Sequence, residues 1–305
     1  MDDKSLEKEI LRLKKEKNAV ILAHYYQTGD IQDIADFTGD SYQLSKIAAE
    51  TDADMIVFCG VHFMAETAKI LSPQKTVLLP AKDAGCPMAD KVTAEALAKY
   101  KDEHPDRKVV CYVNSTAEVK ALSDVCVTSS NAEAIIRHFE GEKLLYVPDK
   151  NLGRYLKDKY DLDLDLWPGF CCIHNNLTMD LVRAAKAQYP DAAFIVHPEA
   201  PLELVKTADY AGSTKGLLDF AVNSDYETLI VGTEEGILHQ MKKKAPHKRF
   251  VVLTDKLLCR SMKKTTMSLL HDALSTNSHE IHVDETVAAK ARKSLDLMLE
   301  LSQSK

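Results

Sequence analysis

Short apolar runs alternate with amphipathic stretches along most of the chain, the pattern of parallel βαβ units. The clearest apolar runs fall at 19–24, 109–113 and 193–197. Each follows a segment of helical periodicity (6–16, 94–101 and 179–189) and leads into a polar turn. The same pattern predicts second strands at 54–59, 143–147 and 228–231, and third strands at 76–80, 163–167 and 250–253.

Spacing then becomes strict. Ser41, Ser129 and Thr214 stand seventeen residues after His24, Tyr112 and His197, and Asp36, Asp124 and Asp209 stand five before those hydroxyls. Helical stretches follow at 42–50, 131–139 and 216–222. Cys86, Cys171 and Cys259 each come after a third strand. Matched positions advance by 88 and then 85 residues, the cysteines by 85 and then 88, which marks an internal repeat. A period near 86 is too long for a solenoid and suits three small α/β domains, at 1–90, 91–175 and 176–263. Residues 264–305 read as a helix, a short strand at 280–283 and a final helix from Glu285, packing back on the domains. Three alike units tend to arrange about a pseudo-threefold axis, where equivalent loops meet.

Composition narrows the function. With 305 residues, 45% hydrophobic and 28% charged, the chain is that of an ordinary globular protein. A net charge of −7 with no basic tract argues against nucleic-acid binding. Its first residues begin a charged amphipathic helix, and its apolar runs are far too short to span a bilayer, so a cytoplasmic location without membrane contact is expected. Seven cysteines in a reducing compartment do not form a disulfide framework.

In open parallel sheets ligands bind beyond the carboxyl ends of strands. His24, Tyr26, Tyr112, Asn114, His197 and Glu199 occupy such ends. Polar residues there are often only turn formers, but His, Tyr and Glu are weak ones. Ser41, Ser129 and Thr214 stand at helix starts, where a hydroxyl is a good cap and unpaired N–H groups favour anions. Together they predict a pocket for a ligand with several carboxylate or phosphate groups. Cys59, Cys111 and Cys126 lie on or beside strands and read as small core hydrophobes. The repeat-equivalent loop cysteines Cys86, Cys171 and Cys259 read as a metal-ligand set, and spacing alone does not separate Cys171 from its neighbour Cys172. The absence of a CxxC pair argues against structural zinc, and the sulfur-rich set against magnesium or calcium. Three thiolates without a fourth suit a [4Fe–4S] cluster with one open iron, a Lewis acid able to assist loss of water.

These residues resemble the quinolinate synthase family. The motifs are His24-Tyr25-Tyr26-Gln27, Asp33-Ile34-Ala35-Asp36, Gly39-Asp40-Ser41, Val61-His62-Phe63-Met64-Ala65-Glu66 and Tyr112-Val113-Asn114-Ser115-Thr116. Asp149-Lys150-Asn151-Leu152-Gly153, Cys171-Cys172-Ile173-His174, His197-Pro198-Glu199 and Gly212-Ser213-Thr214 complete the set, which covers nearly the whole chain. The resemblance implies three homologous three-layer α/β/α domains with short parallel sheets about a pseudo-threefold axis. It implies condensation of iminoaspartate with dihydroxyacetone phosphate to quinolinate, phosphate and water in NAD biosynthesis, and a functional link to the enzyme supplying iminoaspartate. It implies Cys86, Cys171 and Cys259 as ligands of one oxygen-sensitive [4Fe–4S] cluster. His24, Ser41, Tyr112, Asn114, Ser129, His197, Glu199 and Thr214 would line the substrate site, with Tyr26 beside them. In that frame Glu199 and Tyr26 are assigned to proton transfer, His24 and His197 to holding or protonating substrate oxygens, and Asn114 and Tyr112 to orienting carboxylates. The competing readings are another iron–sulfur dehydratase or lyase, and an iron–sulfur sensor of oxygen or iron.

Overall fold

In the computed structural model, which describes residues 3–303, each apolar run is a strand of one of three parallel sheets. Residues 1, 2, 304 and 305 of the predicted outer units lie outside the described residues. The first sheet holds β1 (Ala19–His24), β2 (Phe37–Gly39), β3 (Met55–Cys59) and β4 (Thr76–Leu78). The second holds β5 (Arg107–Tyr112), β6 (Val125–Val127), β7 (Lys143–Val147) and β8 (Leu164–Leu166). The third holds β9 (Ala193–Val196), β10 (Tyr210–Ala211), β11 (Thr228–Gly232) and β12 (Arg249–Val252). Their orders, β2-β1-β3-β4, β6-β5-β7-β8 and β10-β9-β11-β12, are one topology three times over.

The strands read as unbroken apolar runs because helices cover both sheet faces. In the first sheet Ile21, Ala23 and Val57 pack with Ile10, Leu270 and Leu274 from the helices Asp3–Glu16 and Met267–Thr276. The alternate residues Leu22, Ile56 and Phe58 share the main core with Leu44 and Ala68 from the helices Ser41–Glu50 and His62–Leu71. The third sheet divides likewise, Phe194, Val196 and Ile230 facing one cluster and Ile195, Leu229 and Val231 the other.

Each sheet has one strand more than the apolar pattern predicts. The extra edge strands β2, β6 and β10 are only two or three residues long, too short to show a period. The repeated aspartates explain their position. Asp36, Asp124 and Asp209 accept the backbone N–H of Ile21, Val109 and Phe194 at 2.8, 2.6 and 2.7 Å. The backbone N–H of the same three aspartates returns a bond to the carbonyl of the same partner, at 3.0, 3.0 and 2.8 Å. These residues are thus clamps that pin each edge strand to its neighbour.

The predicted strand at 280–283 is only an antiparallel bridge, Leu78 to Glu280. Leu79 N–H donates to the His279 carbonyl and Ile281 N–H to that of Val77, at 3.1 and 2.8 Å. His279 has φ 61°, a left-handed conformation that interrupts any extended run. Beyond it the helix Glu285–Leu301 packs on the helix Ala117–Ala121 and on β6. No described helix is long and apolar enough to cross a membrane.

Asp124 is the clamp without a lysine partner, so its removal isolates the backbone bond. Asp124→Ala is expected to cost about 1–2 kcal/mol, a drop of a few degrees in thermal melting, whereas Asp124→Asn, which keeps an acceptor oxygen, costs less. Equal melting temperatures for all three proteins would remove the clamp from the account.

Candidate active site

A cavity opens where the strand ends meet. His24 ends β1, Tyr112 ends β5 and His197 follows β9, so each sheet contributes the residue at the carboxyl end of its first strand. Tyr26, Asn114 and Glu199, two positions further on, line the same cavity. Ser41, Ser129 and Thr214 join them, as do Cys86, Cys171 and Cys259. The structure therefore brings every predicted site residue into one place.

Burial governs the chemistry of the two strand-end histidines. It pushes the His24 imidazole down to about 3, helped by the Lys263 charge, and that of His197 down to about 4. Both rings are therefore neutral near pH 7. Nδ1 of His24 accepts the Tyr26 N–H at 3.1 Å and Nδ1 of His197 accepts the Glu199 N–H at 3.3 Å. With Nδ1 an acceptor, the proton of each neutral ring sits on Nε2, where it can be donated.

Glu199 is the hub. Its Oε1 accepts from the Tyr112 hydroxyl at 2.7 Å, and its Oε2 lies 2.8 Å from Nδ1 of His174. Burial alone would raise this carboxyl, but His197, His174 and Tyr112 outweigh it and hold it well below the usual carboxylate range. From His174 the chain continues: Nε2 to Thr233 Oγ1 at 2.9 Å, Thr233 Oγ1 to the Tyr26 hydroxyl at 2.8 Å, and that hydroxyl to Thr214 Oγ1 at 3.0 Å. Burial raises both tyrosine hydroxyls well above their ordinary value, so they stay protonated. The result is a buried hydrogen-bonded chain from Thr214 to Glu199.

Two sequence-level assignments need correction. The helix caps are Asp40 and Ser213, which accept the N–H of Gln43 and Gly216, so Ser41 and Thr214 are the first helical residues. Ser129 lies in the turn before Asn131 and the short helix Ala132–Ile136. A cap must lend its side chain to the third helical N–H, which leaves the next residue free to face the cavity. The other concerns Tyr112, whose hydroxyl is already donated to Glu199. Asn114, by contrast, has a buried Oδ1 with no partner, an acceptor open to a ligand donor. Among the described residues no lysine or arginine lines the cavity, which leaves hydroxyl, imidazole and amide donors to meet an anion there.

The cysteine loops share a local design. Neighbouring backbone N–H groups act to lower each thiol: those of Ala89 and Met88 for Cys86, that of His174 for Cys171, and those of Met262 and Ser261 for Cys259. Two buried carboxylates fix the loops from behind: Asp149 accepts the Cys171 N–H at 3.0 Å and Glu234 the Cys259 N–H at 3.0 Å. Burial and the neighbouring Glu199 charge push Asp149 up to about 8, and burial raises Glu234 as well. All three thiols are themselves raised, chiefly by burial. Cys172 is exposed, whereas the Cys171 sulfur lies 3.3 Å from Nδ1 of His174. Cys171, His174 and Glu199 also form a candidate metal group, their ligating atoms all within 4.8 Å of one another.

Sequence reasoning quoted His174 and Asp149 only as motif letters and passed over Thr233 and Glu234. The available signal was position: Asp149 and Thr233–Glu234 lie just beyond the carboxyl ends of β7 and β11, as the predicted residues lie beyond β1, β5 and β9.

Comparison with known proteins agrees with the motifs. A family profile described as Quinolinate synthetase A protein matches residues 8–300. A protein of Caldicellulosiruptor saccharolyticus named quinolinate synthase is 50% identical over 303 residues, 99% of this chain and 100% of its own length. Proteins of the same name from Clostridium perfringens (50% over 294 residues, 96% of this chain and 98% of the relative) and Alkaliphilus metalliredigens (50% over 302 residues, 99% and 100%) are as similar.

The two neutral histidines set an acid limit. Their folded values lie below the roughly 6.5 of an unfolded imidazole, so the stability they contribute is complete above about pH 6.5 and is lost as pH falls toward 4 and then 3. Melting temperature should fall across that window, and His24→Asn should make the fall shallower. An unchanged pH slope in the variant would contradict the assignment.

Proposed function

We propose that this chain, which belongs to the quinolinate synthetase A family, is an enzyme of NAD biosynthesis that condenses iminoaspartate with dihydroxyacetone phosphate to quinolinate, phosphate and water. One observation carries the reading: cysteines from three separate loops share a cavity with Glu199 and its hydrogen-bonded chain. We retain the division into units 1–90, 91–175 and 176–263 with an extension at 264–305, arranged about a pseudo-threefold axis that brings equivalent loops together. We place the enzyme in the cytoplasm, functionally linked to the enzyme that supplies iminoaspartate.

The donor set suits a [4Fe–4S] cluster. Buried sulfurs whose thiols are raised stay protonated unless a bound cation compensates the thiolates, and the N–H groups aimed at each sulfur favour the anionic form. Cys86, Cys171 and Cys259 would hold it, the inward sulfur of Cys171 favouring that residue over exposed Cys172. When bound, the cluster supplies a Lewis-acidic iron that polarises a substrate oxygen and assists dehydration.

The chain's own residues supply the rest. His24 and His197 donate from Nε2 to carboxylate or phosphate oxygens, holding them rather than protonating them. The Glu199 carboxylate takes a proton from the substrate, and His174 relays between it and Thr233, with Tyr26 and Thr214 completing the route. Asn114 Oδ1 accepts from the imine or a hydroxyl of the substrate. Ser41 and Ser129 add hydroxyl donors at the cavity wall.

Anaerobically purified protein is expected to carry about four irons and four sulfides per chain and to form quinolinate only when both substrates are present. Colourless, iron-free protein or absence of quinolinate would overturn the reading. Cys171→Ala should lose the cluster while Cys172→Ala keeps it; the reverse result would reassign the ligand. With cluster content unchanged, Glu199→Gln should lower kcat about 100-fold or more, and full turnover would remove Glu199 from proton transfer.

A further inference from the structure

Lys120 has no conventional reason to be where it is. Its side chain, on the short helix Ala117–Ala121, is fully buried. Lysine is almost never so buried without a paired carboxylate, yet Lys120 forms no ion pair among the described residues. Its Nζ instead donates to the Ser115 carbonyl at 2.5 Å and stands 5.5 Å from the centroid of the Phe63 ring. A thiol pair lies on the strands that flank the Ser115 turn. Cys111 of β5 and Cys126 of β6 are paired in register, both wholly buried, and Cys126 Sγ lies 3.3 Å from Ser294 Oγ.

What this cation holds is the back of the cavity. Ser115 belongs to the turn that carries Tyr112 and Asn114, and its hydroxyl donates to the Tyr112 carbonyl at 3.0 Å. The Cys111 thiol donates to that same carbonyl at 3.3 Å. Phe63 is a cavity wall from the first unit, and Glu66 of its helix accepts the Ala117 N–H at 3.2 Å. One face of the turn meets the ligand and the other rests on Lys120.

We propose that Lys120 is a positioning residue of the substrate cavity. Its buried Nζ, held between the Ser115 carbonyl and the Phe63 ring, fixes the 112–116 turn so that Asn114 and Tyr112 stand in register with Phe63. The proposal rests on the function given above for the identity of the ligand only.

Lys120→Met keeps volume and removes charge. Because burying a charge is itself destabilising, the variant should melt no lower than the parent. Hydrogen exchange in the unliganded protein should quicken at residues 112–117 and not elsewhere. In cluster-loaded protein of equal iron content, quinolinate should bind about tenfold more weakly, with KM rising more than kcat falls. Lower melting with exchange quickened throughout would make Lys120 merely structural; unchanged exchange at the turn, or unchanged affinity, would also overturn the proposal. Failure of the parent to bind or make quinolinate would defeat the functional reading instead, and hydrogen exchange would still decide the role of Lys120.

Discussion

One buried carboxylate organises the molecule. Glu199, just past β9, is bonded by Tyr112 at the end of β5 and by His174, and reaches Tyr26, just past β1, through His174 and Thr233. A charge taken out of water is tolerated only when its partners are fixed, and here one direct partner ends β5, the other lies in the 174–176 turn, and Tyr26 of the first sheet joins through Thr233. Misplacing the second sheet against the third would strand the charge. The carboxylate assigned above to proton transfer is therefore also a constraint on how the sheets assemble.

The same logic extends to the cysteine loops. Asp149 and Glu234 are spent on the backbone of Cys171 and Cys259, and among the described residues Cys86 has no such carboxylate, although the carbonyls of all three cysteines accept the N–H four residues on, from Asp90, Asn175 and Lys263, at 3.2, 2.9 and 3.2 Å. The repeat is thus faithful in topology and in its aspartate clamps, and loose where chemistry differs between units. The helix starts show it too: a carboxylate caps the first, a serine hydroxyl the third, and neither device operates in the second.

Much of this was readable in the chain because it depends on local physics. Apolar runs buried on both faces locate β1, β3, β5 and β7, and constant spacing aligns residues such as His24, Tyr112 and His197. Edge strands as short as Tyr210–Ala211 escape because their position is set by a clamp from Asp209 to a partner fifteen residues away, not by their own composition. Thr233 escapes for a different reason: a lone threonine after a strand has no distinctive pattern until His174 and Tyr26 converge on its hydroxyl from distant positions. Charge burial was likewise invisible, since a lysine in a helix reads as solvated until its burial against Phe63 and Ser115 is seen.

The bridge from Glu280 to Leu78 has a consequence for how copies of this chain behave together. An uncovered parallel-sheet edge presents unpaired N–H and C=O groups and invites another chain to add a strand. Residues 279–281 occupy that position on β4 through bonds to Val77 and Leu79. They act as a stopper that keeps the first sheet from templating association. Substitutions that break this bridge alone would leave the strand ends that build the cavity in place yet uncover the β4 edge, trading solubility rather than chemistry.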